Sequence, residues 1–389
     1  MSVADLANAE WLQRPHTQAI FAALDGSRRR TRAVGGVVRD TIMGRQRDNP
    51  DIDLATELIP EEVIARAEAA EIAWYPTGIE HGTVTLRLGD TLAEVTTLRR
   101  DAETDGRHAT VVFGTDWKDD ASRRDFTLNA LYCAADGTLF DPLGNVDDAL
   151  EGQIRFIGNP DDRITEDGLR VYRFFRFCAS HGGETFDPDG LAACERAVGR
   201  LSHLSAERIG AEMLRMLAAP KIARTLTEMA AINLLAVQAD QLSALATYEQ
   251  LGGHSAVARL ALFEDVERFR AQWRLSNDLV ATAKKAQAAA ELIAAGRVGE
   301  AAYRHGELAV EGLAIAAARE NWGHARLAET ARELASIVVP KFPVSGHDLA
   351  GLGMVPGPAL GQELARLERA WIDSGFALGK AELLTLVRP

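Results

Sequence analysis

The chain has 389 residues, 47% of them hydrophobic and 25% charged, enough for a large core and for more than one compact unit. Its formal net charge of −13 excludes a protein that coats nucleic acid indiscriminately, but not one that grips RNA through a local basic surface. No apolar run reaches the roughly 18 residues of a membrane span, and Met1-Ser2-Val3-Ala4-Asp5-Leu6 shows no secretion signal. The three cysteines, Cys133, Cys178 and Cys194, lack metal-ligand spacing and are expected to be buried, reduced thiols of a cytoplasmic protein.

In chain order, Thr17 to Leu24 reads as a short amphipathic helix. Arg32 to Val34 is expected to be a strand feeding the turn Gly35-Gly36, with a helix from Val37 to Met43. Asp51 to Ala55 is the next strand. Pro60-Glu61-Glu62 opens a helix reaching about Ala70, since Pro and acids both suit a first turn. Thr83 to Leu88 and Thr91 to Thr97 form two strands around the turn Gly89-Asp90. Arg99 to Lys118 reads mostly as loop. Mixed strands and helices end near Gly158. Beyond Pro160 the helical period dominates, with Glu166 to Ala179 read as one helix, Ser205 as a cap and Ala283 to Ala295 as an alanine-rich helix. Pro340 to Pro358 reads as a linker or irregular lead-in. No internal repeat or low-complexity tract is present.

Four segments carry chemistry. In a strand, Asp51 and Asp53 share one face with Ile52 turned inward. Two adjacent carboxylates repel unless a cation lies between them, and the cation suited to hard oxygen ligands is Mg²⁺. The Gly35-Gly36 turn just upstream offers backbone N–H groups to phosphate. Glu94, mid-strand, is either a third metal ligand or a surface ion-pair partner. Arg123 and Arg124 can hold triphosphate oxygens, while Asp125 and Asn129 suit a ribose hydroxyl. On one helix, Asp167 and Arg170 face the same way, and Arg173 and Arg176 extend the stripe. Candidate RNA-contacting cations are Arg28, Arg29, Arg30 and Arg32, the Arg123-Arg124 pair, and Arg170, Arg173 and Arg176.

Together, Gly-Gly-x-Val-Arg-Asp, Asp-x-Asp, Arg-Arg-Asp-Phe-Thr-x-Asn-Ala and Glu-Asp-x-Leu-Arg-x-x-Arg, in this order over residues 31–180, resemble the class II tRNA nucleotidyltransferases (CCA-adding enzymes) and the bacterial poly(A) polymerases. Leu204-Ser205-Ala206-Glu207-Arg208-Ile209 resembles a further segment of the family's neck. Gly346-His347-Asp348-Leu349, Gly353 and Pro356-Gly357-Pro358 resemble its C-terminal region. The resemblance implies that Asp51 and Asp53 are catalytic Mg²⁺ ligands. It places Gly35, Gly36 and Arg39 in the phosphate-side turn, and Arg124, Asp125 and Asn129 at the triphosphate and ribose. Asp167 and Arg170 then read the incoming base in place of a template. Cytosine and adenine each present an amine donor beside a ring-nitrogen acceptor, which an accepting Asp and a donating Arg can both satisfy. UTP and GTP present a carbonyl where the amine belongs, at a cost of roughly 1–3 kcal/mol. Two departures stand out: Asn145, where relatives often carry a second glycine in a hinge, and His108, where arginine is common in the Asp105-Gly106-Arg107-His108 loop.

The expected fold is α+β: a nucleotidyltransferase-type head over residues 1–155, then an all-helical neck over 156–220, a body over 221–335 and a tail over 336–389. The expected activity is template-independent addition of C, C and A to tRNA from CTP and ATP, releasing pyrophosphate. A poly(A) polymerase of the same fold and a non-catalytic tRNA-binding protein are the alternatives. The implied partners are tRNA, CTP and ATP, with no membrane. His347-Asp348 resembles a metal-phosphohydrolase dipeptide but lacks the further ligands such a domain needs.

Overall fold

The computed structural model describes residues 6–46, 48–101 and 111–387. It divides into two compact units, Met1–Ser205 with Ala231–Leu234, and Ala206–Ala230 with Leu235–Pro389. The first unit holds the sheets. The strands are β1 (Thr31–Val34), β2 (Ile52–Thr56), β3 (Ala73–Gly78), β4 (Thr83–Leu88), β5 (Thr91–Thr97), β6 (Arg99–Asp101), β7 (Val111–Phe113), β8 (Tyr132–Cys133) and β9 (Leu139–Phe140). Seven of them form one sheet in the order β3-β4-β5-β2-β1-β8-β9, and β6 pairs with β7 separately. Within the large sheet β2 and β5 run parallel, and their register sets Asp53 opposite Glu94. The fold is the expected α+β type.

Below the sheet, Val34, Ala55, Leu98, Trp117, Ala121, Ala130, Tyr132 and Ile157 make one core cluster. A second apolar mass fixes the helix Leu169–Ser180. Phe126 meets Phe156 (centroids 4.9 Å) and Phe177 (5.3 Å), and Phe156 stacks on Phe174 (5.5 Å). Main-chain bonds from Thr127 N to Arg155 O (3.0 Å) and Ile157 N to Asp125 O (3.1 Å) lock the same segment. The helix therefore sits against the strand-like stretch that carries Asp125 and Asn129.

Several elements differ from the sequence reading. Arg99 to Lys118 is not simply loop: β6 and β7 pair, and the helix Trp117–Ser122 starts where Asp116 accepts from Lys118 N at 2.7 Å. The Asp105–His108 segment lies outside the described residues. Strand β3 escaped notice because it is an edge strand with Pro76 and mostly exposed side chains, a place where proline is tolerated. Glu166 to Ala179 is two helices, Pro160–Glu166 and Leu169–Ser180, broken at Asp167, whose φ of −149° is extended. Strand β2 begins at Ile52, leaving Asp51 at its mouth. Asp125 precedes the 3-10 turn Thr127–Asn129. At the hinge-like segment Asp141 binds the N–H groups of Leu143 (3.2 Å), Gly144 (2.9 Å) and Val146 (2.8 Å), tying the turn before Asn145.

The second unit is helical throughout its described residues. The helix Asn277–Ala294 buries Ala283, Ala286, Ala289 and Ala290 against the helix Leu308–Arg319. A Cβ on Gly312 would come within 2.7 Å of Ala289 Cβ, so the small residues permit this close approach. Glu300, only 4% exposed, accepts from Arg304 (2.7 Å) and Arg369 (2.8 Å), joining the helix Val298–His305 to Pro358–Asp373. Pro340 to Pro358 contains the helix Gly346–Gly351, where Asp348 caps Ser345 N (2.9 Å) and pairs with Lys380 (2.7 Å). All three cysteines are free and buried. Among the described residues no helix is long and apolar enough to cross a membrane.

Candidate active site

Strand β1 ends in Gly35, whose φ of +70° and ψ of −128° suit glycine alone. The turn throws the helix Gly36–Ile42 back over the sheet and leaves Gly35 beside Asp53, where an added Cβ would stand 3.7 Å from Oδ2. Ile52 is buried while Asp51 and Asp53 on either side of it are exposed. Both carboxylates line a cleft of about 200 Å³ together with Trp11, Gly36, Arg39 and Asp40. Asp53 opens to solvent on one side and is hemmed in by protein on the others. Burial first, then Glu94 and Asp51, push its carboxyl up to about 6, against the opposing pull of Arg124 and Arg39.

That crowding is the mark of a cation site. Two acids and a third in register create a negative field that no hydrogen bond or ion pair among the described residues relieves at Asp51, Asp53 or Glu94. Hard carboxylate oxygens suit a divalent ion such as Mg²⁺. No group of three or more His, Cys, Asp or Glu side chains close enough to hold a metal by themselves occurs among the described residues. The pair Asp51 and Asp53 therefore fits an ion whose remaining ligands come from substrate and water.

The arginines are held by buried acids. Arg39, 6% exposed, donates through Nη1 to Asn129 Oδ1 (2.6 Å) and through Nε to Asp40 Oδ1 (2.8 Å). Asn129 Nδ2 donates to Asp125 Oδ1 (2.9 Å), and Arg173 Nε donates to Asp125 Oδ2 (2.8 Å). Burial works to raise the Asp125 carboxyl, yet Arg173 and Asn129 hold it below the usual range. Arg124 Nη2 reaches Asp120 Oδ2 (3.0 Å) and its Nε reaches Tyr132 Oη (3.2 Å); Tyr132 donates to the same Asp120 oxygen (2.8 Å). The guanidiniums of Arg39 (5.1 Å), Arg173 (5.6 Å) and Arg176 (4.0 Å) all lie over the ring of Phe177.

Asp167 and Arg170 are near each other but not on one helix, as the sequence reading had them. Asp167 stands at the break and its Oδ1 accepts from Leu169 N (3.1 Å). Arg170, in the first turn of the next helix, pairs with Glu166 (2.6 Å) and donates to Arg163 O (2.8 Å) and Arg123 O (3.3 Å). Arg163 in turn donates to Arg124 O (2.7 Å) and pairs with Glu166 (2.6 Å). Arg170 is thus tied directly, and through Arg163 indirectly, to the backbone of the Arg123-Arg124 pair. In the N-terminal basic run, Arg30 pairs with Asp25 (3.3 Å) and Glu57 (3.4 Å), Arg29 pairs with Asp136 (3.5 Å), and the Arg32 guanidinium lies 3.9 Å from the ring of Trp117.

Sequence reasoning missed Asp120, Tyr132, Arg163 and His181. Asp120 had one signal, its place three and four residues before Arg123 and Arg124. The bonds from Tyr132 to Asp120, from Arg163 to the carbonyl of Arg124 and from His181 to Asp40 are set by tertiary contact and leave no local trace.

Residues 31–155 match the family described as Poly A polymerase head domain, and residues 185–245 the one described as probable RNA and SrmB-binding site of polymerase A. The mitochondrial CCA tRNA nucleotidyltransferase 1 of Danio rerio is 32% identical over 375 residues, covering 91% of this chain and 86% of that protein. The CCA-adding enzyme of Limosilactobacillus fermentum is 30% identical over 88% of this chain and 89% of its own length. The structure of Bacillus stearothermophilus CCA-adding enzyme in complex with CTP superposes with a TM-score of 0.76 at 28% identity, over 93% of this chain and 94% of that one. This chain belongs to the class II family of CCA-adding enzymes and poly(A) polymerases.

Proposed function

We propose that this chain is a CCA-adding tRNA nucleotidyltransferase that extends the 3′ end of tRNA with C, C and A from CTP and ATP. The observation that carries the reading is the intact carboxylate pair, crowded in a cleft that Arg39 also lines, in a chain similar along nearly its whole length to named CCA-adding enzymes. Asp51 and Asp53 would hold Mg²⁺. The chemistry such ions supply is a lowered pKa for the attacking hydroxyl and neutralised charge on the phosphates. The tRNA 3′-oxygen bonds to the α-phosphorus while the bridging oxygen leaves with pyrophosphate. Arg39 and Arg124 lie within electrostatic reach of Asp53 and stabilise charge on the triphosphate. Asp125 and Asn129 place the ribose. Arg173 and Arg176 support this face.

Asp167 and Arg170 choose the base. Arg170 rests on Glu166 and on main-chain carbonyls, so reading a base requires it to share or exchange those partners. The helical remainder contacts tRNA by shape and backbone, with the head at 1–155, neck at 156–220, body at 221–335 and tail at 336–389. The protein works in the cytoplasm. Purified protein is incubated with tRNA lacking its 3′ end and each nucleotide in turn. Ordered incorporation of two C and one A is the expected result. Long tails from ATP alone, with CTP ignored, would replace this reading with poly(A) synthesis, and tRNA binding without incorporation would replace it with a non-catalytic role.

A further inference from the structure

Arg39 and Asp40 are sequence neighbours on one helix, and adjacent helical residues do not face each other. Yet Asp40 Oδ1 accepts from Arg39 Nε (2.8 Å) and Nη2 (2.7 Å). Such a contact needs the carboxylate to be held from elsewhere. The holder is His181, 6% exposed, whose Nε2 lies 3.1 Å from the same oxygen. With Asp40 ionised, Nε2 carries the proton toward it, while Nδ1 lies 2.6 Å from the hydroxyl of Ser180, which donates to Arg176 O at 2.8 Å. The ring packs on Phe177 at 5.2 Å, and Arg45 binds the carbonyl of Ser180, closing the other side.

His181 lies just past the end of Leu169–Ser180, the helix whose first turn carries Arg170. Arg173 on the same helix reaches Arg39 by a second route, through Asp125 and Asn129. One helix therefore grips Arg39 twice, from its middle and from its C-terminal end.

We propose that His181 is a positioning residue for nucleotide transfer: by donating to Asp40 it fixes the carboxylate that aims Arg39 into the carboxylate-lined cleft. The inference rests on the nucleotidyltransferase reading of that cleft. His181 touches neither nucleotide nor metal ligand. It sets the orientation of a triphosphate-side cation and leaves base choice to Asp167 and Arg170. Loss of the bond lets Asp40 and Arg39 relax to separate rotamers, and the effect falls equally on CTP and ATP.

The test compares His181→Leu, which removes the donor, with His181→Gln, which keeps one, each in the native chain and in an Arg39→Ala background. Steady-state kcat/KM for CTP and ATP addition is measured, with thermal unfolding as a check on folding. Loss of a supporting hydrogen bond of this kind costs about tenfold. The Leu variant should therefore lose about tenfold in kcat/KM for both nucleotides, and the Gln variant should recover most of it. In the Arg39→Ala background the same substitution should cost less than about twofold, because the two act as one unit. If the Leu variant does not fold, His181→Asn, too short to reach Asp40, takes its place in the same cycle. A tenfold loss that persists without Arg39, a donor-less variant within about twofold of native, or an unequal effect on CTP and ATP would each overturn the proposal. Failure of the proposed activity itself shows separately, as a native chain that does not add C, C and A.

Discussion

Asp53→Asn should abolish nucleotide transfer and at the same time stabilise the metal-free protein. The carboxyl is raised from an ordinary 3.8 to about 6, by burial and then by Glu94 and Asp51. A shift of that size corresponds to about 3 kcal/mol, and the open side of the residue reduces it by screening to about 1 kcal/mol. The sign follows from proton binding. Between pH 4 and pH 6 the folded state keeps a proton that the unfolded chain has released. The group's contribution to stability is thus complete below pH 4 and is lost as pH rises through 6. At pH 7 the ionised side chain is a net burden, which Asn removes; at pH 4 it is not. Guanidinium unfolding at pH 4 and pH 7, with and without Mg²⁺, measures this on the first transition. The variant should gain about 1 kcal/mol at pH 7 without metal and nothing at pH 4, while added Mg²⁺ should stabilise native protein far more than the variant. Transfer of CMP to tRNA should fall about a thousandfold or more if, as proposed, Asp53 holds the metal. A variant that is less stable than native at pH 7 without metal, or that keeps its activity, refutes the reading of Asp53 as an acid waiting for a cation.

Asp125→Ala removes a 9%-exposed carboxylate that satisfies Arg173, Asn129 and Phe126 N; denaturant unfolding should show a loss of about 3 kcal/mol. Arg170→Ala should relax nucleotide choice by about tenfold in the ratio of CTP to UTP incorporation while changing KM for CTP less, measured by single-nucleotide addition. Chelation of divalent ions should stop transfer, with activity restored by Mg²⁺ in an incorporation assay. His181, pushed down to about 4 chiefly by burial, stays neutral when folded. Stability should therefore be lost as pH falls from about 6.5 to 4, and His181→Gln should flatten that limb of the unfolding profile.

The parts of the site that lie close in the chain were readable, because local rules alone produce them. Gly35 must be glycine where a strand turns sharply into a helix. Asp51 and Asp53 flank a buried Ile52 because a strand alternates. Strands β4 and β5 follow from alternation around Gly89-Asp90. The break at Asp167-Gly168 was hidden, because the segment keeps an amphipathic helical pattern across a junction that only packing interrupts. A Cβ on Gly168 would sit 2.9 Å from Leu201, a neighbour far along the chain. The long-range partners of Arg39, Arg124 and Arg170, namely Asn129, Tyr132 and the carbonyl of Arg123, were equally hidden. Asp40 shows in the sequence only as a neighbour, Tyr132 as a core aromatic, and His181 as nothing at all, since each acquires its role from an element brought in by the fold.

The charge arrangement has its own logic. Arg39 lies on Asp40 (2.7 Å), Arg124 on Asp120 (3.0 Å), Arg173 on Asp125 (2.5 Å) and Arg170 on Glu166 (2.6 Å). Each of these four arginines already has its own acid, and the acids of Arg39, Arg124 and Arg173 are buried or nearly so. The balance left over is negative and sits at Asp51, Asp53 and Glu94, where burial and then the neighbouring acids lift Asp53. A net negative site of this kind attracts cations before anions. A triphosphate is therefore best received with a divalent ion already on it, which cancels the acids as it arrives. The paired arginines then serve less to pull the nucleotide in than to hold it at a fixed angle, because ion-paired guanidiniums keep their geometry when the charge on the phosphorus shifts.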